Sequence, residues 1–452
     1  MPPQPPPLGN PGGFPALGPE PPAGVPIAMS AGPTPERGDK RRMRTIRILL
    51  CSWLPPWPVI AGGHQRTNLL FRALSELGSV DLITTGWNPG VDEPVLRRDF
   101  SLVHGAAELP RGSHLPWRLF RSLHPGRVDR IAGFLGRQSL HFRPPATDAR
   151  RMAEIISGGG YDVVVCRFLR SAVSAMPFGA APVLLDMDDR PEENAERLLA
   201  DGTLSLPKRM EAWRTATQLR SISARFLPRF AHIWVVKPED AEGLPAHTWS
   251  LLRNIPYCTP QAAPPQSDGA VVLLVGFFGH PPNLHGADWF VGGPWPKIRA
   301  AFPSARLRVV GGGAPEDAQR RWRAIAGVEV GGFVADLAGE YAASAFTVAP
   351  LFRGAGTSVK VAESIAYGRA VVATQCGARG YADFSREGQA VLVAEPENFH
   401  DACLSLLRDG EARDRRAASG AKLVREVFSQ DYFNRVVAEG VERSLHRAHG
   451  SG

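Results

Sequence analysis

What the chain lacks narrows its class before any motif is read. Its 452 residues contain no uninterrupted apolar run approaching the ~18 residues of a membrane-crossing helix, so membrane contact is expected to be peripheral. The five cysteines, Cys51, Cys166, Cys258, Cys376 and Cys403, are scattered, make no C-x-x-C pair and have no His at co-ligand spacing. That pattern speaks against a disulfide framework or a structural zinc and fits a reducing cytoplasm. The opening residues lack the apolar run of a signal peptide. Charge is not scarce enough or dense enough to signal disorder: 21% charged against 44% hydrophobic is the balance of a globular protein.

What is present is organised in blocks. Residues 1–44 are dominated by Pro and Gly, which predicts a disordered arm. From Thr45 short β-branched runs alternate with helical stretches, the pattern of a parallel sheet covered by helices. In the region 45–256 the expected strands are IRILLCS (46–52), VDLIT (80–84), YDVVVCR (161–167), APVLLDMDD (181–189) and HIWVVK (232–237), with a long helix over about 207–230. Residues 257–270, rich in Pro, Gln and Ala, read as a linker. Over 271–425 the same alternation returns in AVVLLVGFFG, LRVVGGG, GVEVGGFV, AFTVAPLF and RAVVATQ. Two doubly wound parallel sheets facing a cleft are therefore expected, and ligands of such sheets bind beyond the carboxyl ends of the strands.

The most informative segment is PLFRGAGTSVKVAESIAYGRAVVATQCGARGY, residues 350–381. It reads as strand, glycine-rich loop, short helix, glycine stop and strand. Gly354 and Gly356 let backbone N–H groups approach a ligand, and Thr357 or Ser358 would cap a helix whose N-terminus attracts a diphosphate. Lys360, Glu363 and Tyr367 share one helical face. By spacing alone they fit either a ligand-binding face or a solvated Lys360–Glu363 ion pair. DMDD (186–189) contains D-x-D, the pattern that holds a divalent metal in some sugar transferases. LRVVGGG fails the dinucleotide fingerprint, because Glu316 stands where its last glycine is needed, and so reads as a tight strand-to-helix turn. Arginines alternate with Trp117, Phe120, Ile131 and Phe134 over 115–143, which suits either anionic lipid or ordinary helices on a sheet. A net charge of +8 suits an anionic partner, but no nucleic-acid module accompanies it.

The segment 350–381 resembles the signature of family 4 (group 1) retaining glycosyltransferases of GT-B fold, particularly those of exopolysaccharide synthesis. The resemblance runs over about 271–424 and more weakly over 45–254. It implies transfer of a sugar, with retention, from a nucleotide-diphosphate sugar to a saccharide or lipid-linked acceptor, without metal or other cofactor, in the cytoplasm or at the inner face of the membrane. By the same resemblance Glu363 would bind the donor ribose, Gly279 and Asn283 would lie in the loop facing the diphosphate, and Phe333 and Val334 would face the nucleobase. Gly356, Thr357 and Ser358 complete the donor loop, and Gly62 and Gly63 would form the glycine loop of the first domain. Lys360 and Arg353 are assigned to the leaving diphosphate. Asp188 falls where relatives carry a His near the reacting carbon, and is equally a candidate helix cap. The chain departs from the family's E-x7-E pattern, since Ala355 replaces the first Glu. A nucleotide-sugar-binding protein without turnover, or a GT-B epimerase, is the alternative. The final stretch, 426–452, is expected as a helix returning to the first domain by family analogy.

Overall fold

The computed structural model describes residues 46–57, 59, 62–84, 102–104, 154–174, 181–200, 204–256, 269–334, 337–354 and 356–450. The expectations for residues 1–44, for 115–143 and for most of the 257–270 linker lie outside these. Among the described residues, β1 (Ile46–Ser52), β2 (Gly78–Thr84), β3 (Leu102–His104), β4 (Val163–Arg167), β5 (Val183–Asp186), β6 (His232–Val235) and β7 (Trp249–Leu251) form one sheet. Its order is β3-β2-β1-β4-β5-β6-β7. A second sheet contains β8 (Val271–Val275), β9 (Arg306–Val310), β10 (Val328–Gly332), β11 (Phe346–Ala349), β12 (Val371–Ala373) and β13 (Val391–Val393), ordered β10-β9-β8-β11-β12-β13. Every pairing is parallel. Both sheets reverse their winding next to the first strand, between β1 and β4 and between β8 and β11. Those two switch points open a crevice at the carboxyl ends.

The central strands are buried on both faces, which is why Ile48–Cys51 of β1 and Val163–Cys166 of β4 read as unbroken apolar runs rather than alternating ones. Helix Gly62–Leu77 follows β1 and begins on the glycine pair itself. The long helix expected near 207–230 is Leu206–Phe226 with a 3-10 turn over Leu227–Arg229. After β9, Gly311 makes the tight turn: its φ is 140°, and a Cβ there would sit 1.7 Å from the Gly276 carbonyl oxygen. Only glycine permits that stacking of one strand end on the next.

The last helix, Gln430–Gly450, lies against helix Gly62–Leu77 and β6 of the first sheet. Tyr432 donates to the Leu251 carbonyl at 2.9 Å, and Trp234 Nε1 donates to the Val436 carbonyl at 3.3 Å. Gly440 makes room for Trp234, since a Cβ there would stand 2.8 Å from the indole. One apolar cluster holds Leu70 and Leu74 of the first helix together with Val361, Ile365, Phe428 and Phe433. The carboxyl edges of both sheets are thus tied to a shared core.

Candidate functional site

The site is built first on helix Val359–Ala366, which follows β11 through the loop 350–358. Val361, Ala362, Ile365 and Ala366 are buried, and this fixes the face left for Lys360 and Glu363. The two do not form the surface ion pair that their spacing offers. Lys360 Nζ donates to Asn283 Oδ1 at 2.8 Å, and the Tyr341 hydroxyl lies 3.4 Å from Glu363 Oε2. Burial lowers Lys360 to about 8 despite the pull of Glu363. Burial likewise raises Glu363 to about 7, against the Tyr341 hydrogen bond and the Lys360 charge. Neither charge is fully compensated, so a ligand that supplied the complement would relieve both.

Ser358 occupies the N-cap position but its hydroxyl makes no capping bond and is buried without a partner. Thr357 does not cap either; its hydroxyl accepts from Asn254 Nδ2 at 3.0 Å. The expected cap is therefore absent, and the helix's first N–H groups have no side-chain acceptor at an end that attracts anions. Asn283 is held in place by donating to the Phe277 carbonyl at 2.8 Å, and a Cβ on Gly276 would lie 3.3 Å from Lys360 Nζ. Burial and the Lys360 charge lower the pKa of the neighbouring His280. Tyr341 stacks on Tyr367, with centroids 4.6 Å apart, and both pack with Val334. Tyr367 therefore joins the core rather than the polar face. Phe333 stands 81% exposed at the end of β10, and Arg353 is exposed in the loop before Gly354.

Across the crevice, the carboxyl ends of β4 and β5 carry a buried ionic cluster. Arg66 bonds Asp186 through Nε and Nη2, the latter at 2.5 Å, and reaches Asn254 Oδ1 at 2.9 Å. Arg167 bonds Asp186 at 2.9 Å and Asp188 at 2.8 Å. Arg66, Arg167 and Asp186 are at most 1% exposed. Two guanidinium charges are matched by two carboxylates, the condition under which such a cluster is tolerated in a core. Burial pushes Asp188 upward, but Arg167 and Arg66 outweigh it and leave its pKa lowered. Asp188 caps no helix; it is an ion-pair partner. Both oxygens of Asp186 are taken by arginines, so the D-x-D pair is not presented as a metal ligand set. The third carboxyl, Asp189, finds the cluster already neutral: burial first, then the Asp188 charge, raises it to about 7.

The two halves meet at glycines. A Cβ on Gly356 would lie 2.7 Å from Asp189 Oδ1, and one on Gly62 would lie 3.8 Å from Val359. Gly63 offers its carbonyl to Arg167 at 3.3 Å. Asn254 bridges the sides, donating to Thr357 at 3.0 Å and standing 3.4 Å from Asp188 Oδ1. Beside it, Arg253 donates to the Gly380 carbonyl at 2.7 Å and to Asp383 at 2.8 Å. Lys360, Glu363, Asn283, Thr357, Gly356, Gly62 and Asp188 therefore share one crevice region. Gly279 lies in the turn leading to Asn283, and the exposed Phe333 stands beside Gly312, where a Cβ would be 3.8 Å from it. Sequence reasoning missed Arg66, Arg167, Asp189, Asn254 and Tyr341. Arg167 carried a usable signal, a cation at the carboxyl end of a buried strand, and so did Arg66, a cation amid the buried positions of an apolar helix.

Two Rossmann-like domains facing a crevice in this way are the GT-B fold. Residues 269–409 match the family model described as glycosyl transferases group 1. The chain resembles HepE of Anabaena in complex with UDP and glucose, with a TM-score of 0.57 and 14% identity over 88% of this chain and 99% of that one. It also resembles sucrose-phosphate synthase from Thermosynechococcus elongatus, with a TM-score of 0.59 and 17% identity over 90% of this chain and 100% of that one. A glycosyltransferase from Rickettsia africae gives 0.56 and 14%, over 89% and 99%. No curated protein sequence matches the chain. Fold and family match together support a group 1 glycosyltransferase. Among the described residues no helix is long and apolar enough to cross a membrane.

Proposed function

We propose that the chain is a retaining, family 4 glycosyltransferase that moves a sugar from a nucleotide-diphosphate sugar to a saccharide or lipid-linked acceptor. The carrying observation is the half-buried Lys360–Asn283 and Tyr341–Glu363 arrangement beside an uncapped helix N-terminus. In this reading the diphosphate lies on the free N–H groups near Ser358, with Lys360 as counter-charge, and Glu363 accepts hydrogen bonds from the ribose. The bond from the anomeric carbon to the phosphate oxygen breaks while a bond to the acceptor oxygen forms on the same face. The acceptor proton passes to the leaving phosphate. Negative charge grows on that leaving group, so Lys360 and the helix dipole stabilise the transition state more than the ground state. Asp188, fixed and ionised by Arg167, faces the acceptor side, and Arg353 supplies a further cation at the loop. HepE, bound to UDP and glucose, makes UDP-glucose the first donor to try. An exopolysaccharide or glycoconjugate role, metal independence and a cytoplasmic, membrane-apposed setting follow from the family resemblance.

The test is a panel of nucleotide sugars with saccharide acceptors, scored for nucleotide release and for the anomeric configuration of the product. Glu363→Gln is expected to weaken donor interaction by about 1.5–3 kcal/mol, roughly tenfold or more in affinity. Lys360→Met is expected to lower kcat as well as affinity. Unaltered kinetics in both variants would remove the donor site from this helix. Donor binding with no transfer or hydrolysis would replace the enzyme by a binding protein, a reading that Ala355 in place of the family Glu favours.

A further inference from the structure

The chain leaves its first half through residues 252–256, and that segment is pinned before it goes. From helix Gly62–Leu77, Arg66 Nη1 donates to the Leu252 carbonyl at 3.0 Å and Gln65 Nε2 to the Ile255 carbonyl at 3.0 Å. Leu252 and Ile255 are buried in the shared core, while Asn254 between them is only partly covered. The charges around Asn254 decide which way its amide points. Oδ1 accepts from Arg66 Nη1 at 2.9 Å, and Nδ2 faces Asp188 Oδ1 at 3.4 Å and donates to Thr357 Oγ1 at 3.0 Å. Turning the amide over would set its NH2 against a guanidinium and its carbonyl against a carboxylate, so the orientation is forced.

Of these side-chain bonds only the one to Thr357 crosses to the second half. The loop it reaches is anchored there, because the Tyr381 hydroxyl donates to the Ser358 carbonyl at 2.7 Å. Arg253 crosses as well, but its carboxylate partner Asp383 is 55% exposed, whereas Asn254 touches Asp188 itself. Arg167 holds Asp188 Oδ2 at 2.8 Å, which leaves Asn254 to orient the other oxygen. We propose that Asn254 is a positioning residue: its amide sets Asp188 in register with the donor loop, and that register lasts only while the Asn254–Thr357 bond is made. The inference rests on the sugar-transfer reading above. Without the bond the donor still lies on helix Val359–Ala366, but the acceptor side is no longer aligned with the anomeric carbon, and alignment is what an acceptor hydroxyl needs to outcompete water. In the competing hydrolysis a water oxygen bonds the anomeric carbon in place of the acceptor oxygen, and its proton passes to the leaving phosphate.

The full chain is given UDP-glucose and a saccharide acceptor, and glycosylated product and free sugar are measured together, which gives the ratio of transfer to hydrolysis. Asn254→Ala and Thr357→Val are each expected to shift that ratio toward hydrolysis by roughly tenfold, while UDP affinity stays within about twofold. Thr357→Ser keeps the hydroxyl and should keep the wild-type ratio. Because Asn254→Ala and Thr357→Val break the same bond, the double variant should be no worse than either single one. A merely structural role would lower the melting temperature and both outputs together, leaving their ratio unmoved. An unchanged ratio in Thr357→Val, or single effects that multiply in the double variant, overturns the proposal and leaves the transferase standing. A wild-type chain that neither transfers nor hydrolyses any donor of the panel removes the transferase reading, and this inference with it.

Discussion

Asp189 is the residue whose environment and chemistry disagree most openly. Its Oδ1 is buried without a partner and faces Gly356, while Arg66, Arg167, Asp186 and Asp188 balance one another without it. Its pKa stands near 7 in the folded chain against 3.8 ordinarily. The folded state therefore binds more protons than the unfolded one between those values, and stability falls as pH rises through that window. The penalty is absent below about pH 4 and complete above about pH 7. Asp189→Asn, neutral at every pH, is expected to raise the unfolding free energy at pH 8 by at least about 1 kcal/mol, read as a higher urea midpoint, and to leave it unchanged near pH 4. Equal shifts at both pH values would mean that the carboxyl is ionised and satisfied. A gain in stability with a loss of turnover would mark Asp189 as a site kept for function.

At the scale of elements, the sequence was most legible where periodicity was strong and the burial two-sided. β1, β4 and β8 were readable because a strand covered on both faces must be apolar throughout. β3, β7 and β13 were not read as strands: each is three residues long, too short to carry a period, whereas the equally short β12 was read because the run RAVVATQ follows a helix and a glycine stop. The helix of Lys360 was legible from its glycine loop, yet the partners of Lys360 and Glu363 were not. Asn283 and Tyr341 are brought to them from 77 and 22 residues away by the sheet winding, which no local pattern encodes. The ionic cluster was hidden for the same reason, since Arg66 and Asp186 are 120 residues apart. Gly440 is a further element-scale feature, a helical glycine that would ordinarily cost stability against alanine. Here it admits Trp234, so Gly440→Val is expected to overpack the contact and destabilise the fold by about 1–3 kcal/mol, read as a lower urea midpoint. A neutral or stabilising outcome would mean that the last helix is not seated against β6 as described.

At the scale of the whole molecule, two half-buried, imperfectly compensated groups imply that donor binding and proton binding are linked. A nucleotide sugar carries a diphosphate diester with no proton of its own to exchange near neutrality, so any protons taken up or released belong to the protein. The diphosphate would favour protonated Lys360 and raise it from about 8. Binding at pH 8 to 9 should then take up a fraction of a proton. Ribose hydroxyls donating to Glu363 would favour its ionised form and lower it from about 7, so binding at pH 6 to 7 should release one in part. Calorimetry in buffers of different ionisation enthalpy reads the two signs directly. Lys360→Met should abolish the uptake and Glu363→Gln the release; because each charge pulls on the other, the surviving exchange should move in pH, the release upward without Lys360 and the uptake downward without Glu363. The same titrations in excess chelator should give the same proton numbers, because the Asp186 oxygens that a metal would need already accept from Arg66 and Arg167. Proton exchange of the same sign at both pH values, unchanged in both variants, would place the donor's charge elsewhere in the crevice and leave the uncapped helix without its ligand.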